Sequence, residues 1–283
     1  MNPKRPSNHI PVLVISLIVL VGGFALSFLY DLAINQALYD PFNGFAIFME
    51  AFGWLPVYSL PIAFCILIAT RPDVSPPKQV GSLVALMMMS IILGVMSQRY
   101  LAGHVELLFP YWYLFPLTNL VLYLIARANT QRIDPYRNRL IKVTFAATVF
   151  IAVSLVIIHV VKTIWMRSRF DDMLLLENFA TFTPWYLPFG NGGTSFPSGH
   201  TANVTMLLSF IFFTDVFPRL RKYRPLIYGS VSVYVALMAA SRIIIGRHFL
   251  SDVLAAAFIV LAIFLIFKNT SWYRRTVIEG AVR

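Results

Sequence analysis

The sequence is short of charge. Only 12% of its 283 residues are Asp, Glu, Lys or Arg, where a soluble domain carries about 25%. With 58% hydrophobic residues and a mean hydropathy of +0.73, there is too little polar side chain to cover a globular surface, and an ordinary soluble domain is excluded. Cysteine is nearly absent: Cys65 stands alone inside an apolar run, so neither an intrachain disulfide framework nor a cysteine-based metal site is available within one chain. Acidic residues are scarce too, 12 against 23 basic ones, for a net charge of +11. The basic residues sit between apolar runs and no RNA- or DNA-binding motif occurs, so membrane topology accounts for them better than nucleic acid. No internal repeat, low-complexity tract or linker breaks the chain. It reads as one integral membrane domain, 1–283, with N-terminal spans over 1–140, spans rich in polar motifs over 141–267 and a tail over 268–283.

What the sequence does have is apolar runs of roughly twenty residues, the length a helix needs to cross about 30 Å of hydrocarbon. They predict an all-α, polytopic transmembrane helical bundle of about eight spans, near 10–30, 54–70, 80–98, 107–126, 143–162, 198–216, 226–245 and 249–267. The first is too long for a signal-peptide core and lacks a small-x-small cleavage site, so it reads as a retained helix. The fourth is interrupted by Pro110 and Pro116. Charge sets the orientation, because loops left inside carry the excess of Lys and Arg. With the N-terminus inside, Lys4, Arg5, Arg71, Lys78, the 127–142 cluster, the 219–224 cluster, Lys268, Arg274, Arg275 and Arg283 fall on the inner side. Only Arg99, Lys162, Arg167, Arg169, Arg242 and Arg247 stay outside, six of the 23. Both termini are therefore expected on the cytoplasmic side of a plasma (inner) membrane, with Trp272 and Tyr273 as an inner interfacial anchor. The long outer loop, 163–197, mixes aromatics with Pro184, Pro188, Gly190, Gly192 and Gly193, a composition for an irregular segment at headgroup level.

Three polar clusters interrupt the apolar pattern, and this topology sets all of them on the outer side. Lys162-x6-Arg169 ends the fifth span, Pro197-Ser198-Gly199-His200 opens the sixth, and Ser241-Arg242-x5-His248-x3-Asp252 straddles the turn between the last two. Proline, a hydroxyl and a side-chain-free backbone at a helix start leave N–H groups that an anion can approach closely, as in a phosphate cradle. Lys162, Arg169 and Arg242 add three fixed positive charges, suited to hold a phosphoryl group and the charge on its equatorial oxygens during transfer. His248 and Asp252 are four apart, so on a helix they share a face, and the carboxylate can hold one ring nitrogen protonated while the other points at phosphorus. Asp252 is the only carboxylate in this set, whereas a Mg²⁺ site enlists more oxygen ligands.

The three clusters resemble the signature of the type 2 phosphatidic acid phosphatase superfamily, which pairs K-x6-R-P, P-S-G-H and S-R-x5-H-x3-D. The resemblance covers about residues 162–252, with one departure: Phe170 stands where the family has proline. It implies a six-helix phosphatase core and a reaction that needs no metal or cofactor. It also implies roles. His248 would be the nucleophile on phosphorus, Asp252 would hold its tautomer, and His200 would protonate the leaving oxygen and then activate water. Lys162, Arg169, Ser198, Gly199 and Arg242 would bind the phosphate. The expected partners are the bilayer and a lipid phosphate or diphosphate, with undecaprenyl diphosphate, phosphatidylglycerophosphate, phosphatidic acid and lipid A as candidates and the first slightly favoured. The same constellation serves a lipid phosphotransferase or a sugar phosphatase. Eight spans with a basic edge also suit a transporter, although no paired broken helices surround a midplane site.

Each motif alone has a plainer explanation. Lys162 and Arg169 can snorkel at a helix end, His248 with Asp252 can be a structural bond, and Pro-Ser-Gly-His can simply start a helix. Three together on one side argue for function, since charge at a membrane edge is expensive. Other polar residues carry less. His159 is expected packed against a neighbouring helix, and His104 and Glu106 solvated in a short outer connection. Arg167 and Arg247 are expected toward anionic headgroups, with Arg247 alternatively on the substrate. Met87, Met88 and Met89 read as lipid-facing or as packing filler.

Overall fold

The computed structural model describes residues 10–279. Lys4, Arg5 and Arg283, counted above on the inner side, lie outside the described residues. Among the described residues there is no strand. The helices are α1 (Ile10–Leu38), α2 (Gly44–Ala51), α3 (Ser59–Ala69), α4 (Pro76–Ala102), α5 (Leu114–Ala128), α6 (Thr130–Trp165), α7 (Phe170–Leu175), α8 (Gly199–Thr205), α9 (Ile211–Val216), α10 (Arg224–Ile244) and α11 (Leu250–Asn269). Among the described residues six stretches are long and apolar enough to cross a membrane: Leu17–Leu38, Gly44–Ala69, Pro76–Ala102, Thr130–Leu175, Pro218–Ile244 and Leu250–Asn269. The chain is a multi-pass membrane protein. Two of the eight expected spans fall short of that length. α5 has 15 residues, and 199–216 is split into α8, a 3-10 turn at Met206–Phe210 and α9.

Local chemistry explains where elements start. The fourth run becomes helical only at Leu114, which puts Pro116 in the first turn of α5, where its missing N–H would have no helical partner anyway. α2 was not expected, and it extends the second span upstream to residue 44. Asn43 caps it by accepting from the Ala46 N–H at 3.1 Å. Phe170, in the family's proline position, takes the first position of α7, where proline is also favoured, and its ring is buried beside Phe249 and Tyr39.

α8 lies between α10 and α11 and against α6, α1 packs on α11, and α2 packs on α4 and α10. Ala146, Ala147, Ala202 and Ala256 are fully buried at these crossings. In lipid the tails are as apolar as leucine, so close backbone approach and dispersion replace transfer from water as the attraction. The stacked rings of Phe212 and Phe264, 2° from parallel with centroids 5.8 Å apart, centre that packing. Tyr273 belongs to it, which corrects the interfacial pair: Trp272 is 38% exposed, but Tyr273 is fully buried. A helical turn after Thr270 folds Tyr273 back under the bundle, and its hydroxyl donates to Asp215 at 2.7 Å. Arg224 and Lys268 also pair with Asp215. At the same end Arg137 donates to the Leu67 carbonyl and the Thr70 hydroxyl. Ends of α3, α9 and α11 thus meet the starts of α6 and α10, and the predicted inner clusters gather there.

Candidate active site

The opposite end holds all three motifs. α6 ends at Trp165, and Met166 turns the chain in the left-handed region. The loop then runs back along it: Gly190 N–H donates to the Trp165 carbonyl, Gly193 to Met166 and Ser195 to Arg167, each at 2.9 Å. A Cβ at residue 193 would lie 2.2 Å from the Arg167 carbonyl oxygen, so only glycine permits this approach. Ser195 and the Pro-Ser-Gly-His segment are thereby laid beside the Lys162 to Arg169 segment. Ser198 caps α8 through its hydroxyl, while its own N–H donates to the Asp252 carbonyl at 3.0 Å, joining the second motif to the third. After α10, Gly246 at φ +77° lets the chain double back, and the N–H groups of Arg247 and His248 both reach the Arg242 carbonyl.

His248 is buried and lies in the loop before α11, two residues ahead of its start at Leu250. This corrects the shared helical face. The pair still meets, with Nδ1 3.7 Å from Asp252 Oδ2, an ion-pair distance rather than a hydrogen bond, because Asp252 sits in the first turn of α11 and turns back over the loop. Asp252 Oδ2 also accepts from the Phe249 N–H at 2.8 Å and from the Ser195 hydroxyl. Burial pushes the His248 imidazole down to about 3, with Lys162 and Arg242 adding to the effect and Asp252 opposing it.

Arg167 is buried, not turned to headgroups. Its Nη1 donates to Asp252 Oδ1 at 2.6 Å, its Nη2 to Asp31 Oδ2 at 2.9 Å and its Nε to the Thr183 carbonyl at 2.7 Å. Its guanidinium also lies 4.1 Å from the Phe249 ring centroid. A planar fork with two buried carboxylates in reach has no reason to leave for solvent. Asp31, from α1, accepts in addition from the N–H and hydroxyl of Ser251.

Asp252 is not the only carboxylate near the motifs. Glu50, on α2, accepts from Arg242 Nη2 at 2.7 Å through Oε1 and meets His104 Nε2 at 2.6 Å through Oε2. His104 is therefore no solvated loop residue; Glu106 is exposed, as expected. Arg247 joins the same group, with Nε 3.4 Å from Glu50 and Nη1 2.5 Å from Asp171. The Glu50 carbonyl is 3.0 Å from His200 Nε2. A carbonyl only accepts, so Nε2 carries a proton and Nδ1 is the nitrogen free to exchange one. Tyr100 packs edge-on to this imidazole at 5.0 Å.

Of the other expected residues, Lys162 donates to the Thr194 carbonyl at 2.5 Å, and Arg169 stands at the N-cap position of α7 without a side-chain capping bond. A Cβ at Gly199 would meet nothing within 4 Å, so the start of α8 opens onto free space. Lys162 lies within electrostatic range of Asp252, Arg169 and Arg242, and so does His200 of Arg242 and His248. Arg169 Nε, Arg242 Nε and Nη1, and His248 Nδ1 are buried without a hydrogen-bond partner. His159 faces outward and bonds to the Leu155 carbonyl of its own helix, not to a neighbour. Glu50 and Asp31 went unnoticed in the sequence, although each is an acid inside an apolar run, which is signal enough.

Residues 143–276 match the family model described as the PAP2 superfamily. A curated relative, phosphatidylglycerophosphatase B from Bacillus subtilis (strain 168), is 28% identical over 120 residues, 36% of this chain and 59% of the relative. The match thus spans little more than half of that protein. No solved structure matches. The matched region contains all three motifs and the turn that joins His248 to Arg242, and over it this chain is similar to the type 2 phosphatidic acid phosphatase superfamily.

Proposed function

We propose that this protein hydrolyses a phosphate or diphosphate ester of a membrane lipid at the outer face of the bilayer, through a phosphohistidine on His248. The carrying observation is the group of buried guanidinium donors without partners, two on Arg242 and one on Arg169. Unpaired buried donors are costly, and an anion with several acceptor oxygens relieves several at once. The excess of Lys and Arg at the far end of the bundle supports the outward orientation, with both termini inside. A site at the bilayer edge meets a headgroup while the acyl chain stays in hydrocarbon, which favours lipid over soluble esters.

In this reading Arg169, Arg242, Lys162 and the backbone at Ser198 and Gly199 grip the phosphoryl oxygens. His248 turns Nδ1 toward Asp252, so Nε2 attacks phosphorus while the bond to the leaving oxygen breaks. That oxygen takes the proton held at His200 Nδ1, and the carboxylate of Asp252 balances the charge left on the His248 ring. His200 then removes a proton from water, which attacks the phosphohistidine and releases orthophosphate and neutral His248. The resemblance and the all-cation grip support a reaction without metal.

Purified protein assayed against phosphatidylglycerophosphate, undecaprenyl diphosphate and phosphatidic acid identifies the substrate. The relative's name puts the first of these at the head of the panel. We expect His248→Ala to reduce phosphate release by about 10⁴ or more and to abolish ³²P labelling of the protein, whereas His200→Ala retains label and loses it slowly. Wild-type rates in the His248 variant would end the assignment.

A further inference from the structure

We propose that Glu50 is a positioning residue that aims Arg242 at the phosphate and, by its charge, weakens the pocket's grip on the orthophosphate product. This rests on the function proposed above and deepens it. Glu50 lies on α2, outside the matched residues 143–276. It is buried, only 2% exposed, in a helix that is otherwise apolar. A carboxylate there is expensive unless both oxygens are engaged. They are: Oε1 takes Arg242 Nη2 at 2.7 Å, and Oε2 is anchored by His104 Nε2 at 2.6 Å.

Two consequences follow. First, the bond pins one corner of the guanidinium fork and leaves Nε and Nη1 as the two donors without partners. The fork is rigid and planar, so fixing one nitrogen fixes the direction of the others. The same residue's carbonyl accepts from His200 Nε2 at 3.0 Å, so α2 sets the arginine with its side chain and the imidazole with its backbone. Second, Glu50 places a fixed negative charge one guanidinium away from the anion. A pocket of Lys162, Arg169 and Arg242 alone would hold a phosphate dianion tightly, before and after reaction, and grip shared equally by ground state and product does not speed turnover. Glu50 discharges part of that grip without occupying the free donors.

Two conservative variants of the full-length protein in detergent separate aim from charge. Binding of inorganic orthophosphate is read from the shift in melting temperature, and turnover from phosphate release. Glu50→Gln keeps an oxygen for Arg242 and removes the charge. The half-saturating orthophosphate concentration should fall roughly tenfold, with kcat lowered by slow product release and KM lowered alongside. Glu50→Asp keeps the charge and withdraws the oxygen from Arg242. Orthophosphate binding should stay within about twofold of wild type while kcat falls about tenfold or more. A Gln variant that binds orthophosphate no more tightly than wild type, or an Asp variant with full kcat, overturns the inference. If the wild type releases no phosphate from any lipid yet the Gln variant still binds orthophosphate more tightly, the pocket reading stands and the proposed reaction fails. If the wild type turns over and orthophosphate binding ignores the Gln substitution, the inference alone fails.

Discussion

The two ends of the bundle draw on the same chemistry. At one, Asp215 is shared by Arg224, Lys268 and Tyr273, and none of these four side chains stands among the buried groups without partners, although Arg137 Nη2 at the same end does. At the other, Arg242 and Arg169 keep donors without partners although an acid already holds part of the Arg242 fork. A saturated cluster ties helix ends together. An unsaturated one carries an energetic cost that only something outside the chain can relieve, and burial alone would not have told the two apart.

Breaking the comparison at its unsaturated end should have the larger effect on turnover. Arg242→Ala and Arg169→Ala are each expected to lower kcat/KM by about 10² to 10³; Arg242→Ala also lowers the melting temperature, because it strands the buried Glu50 carboxylate, whereas Arg169→Ala stays close to wild type. At the saturated end the pattern inverts. Asp215→Asn should leave kcat/KM within about twofold and destabilise the fold by about 3 kcal/mol, seen as a lower melting temperature in detergent. An Asp215 variant that loses activity in step with Arg242→Ala would mean that both ends serve the chemistry.

A smaller effect sharpens the contrast through pH. Burial holds His248 near 3 when folded, against about 6.5 in an unfolded chain. As pH falls below 6.5 the unfolded state takes up this proton and the folded state does not, so stability declines between about 6.5 and 3. Above 6.5 the residue is neutral in both states and contributes nothing. Melting temperature followed from pH 8 to pH 5 should therefore fall less in His248→Gln than in wild type. Identical slopes would show that the imidazole is not held neutral.

Much of this was legible in the chain. Apolar run length exposed the membrane helices, and the spacing of Lys162, Arg169, His200, Arg242, His248 and Asp252 marked the candidate site. Periodicity misled at His248, because four residues of spacing mean a shared face only inside a helix and α11 begins after the histidine. It also missed α2, although Asn43 ahead of an apolar run is a cap signal. Arg167 looked like an ordinary edge cation because its partners, Asp31 and Asp252, are 136 and 85 residues away.

By itself the sequence determined the class of the protein and the inventory of its motifs: hydrocarbon demands long apolar helices, and three phosphate-type motifs kept their internal spacing. Only the tertiary structure decided that α1 and α2 bring carboxylates to the candidate site. Asp31 and Glu50 reach Arg167 and Arg242 through side-chain contacts between segments far apart in the chain. Such contacts depend on which faces meet across the bundle, and no local pattern of residues encodes that.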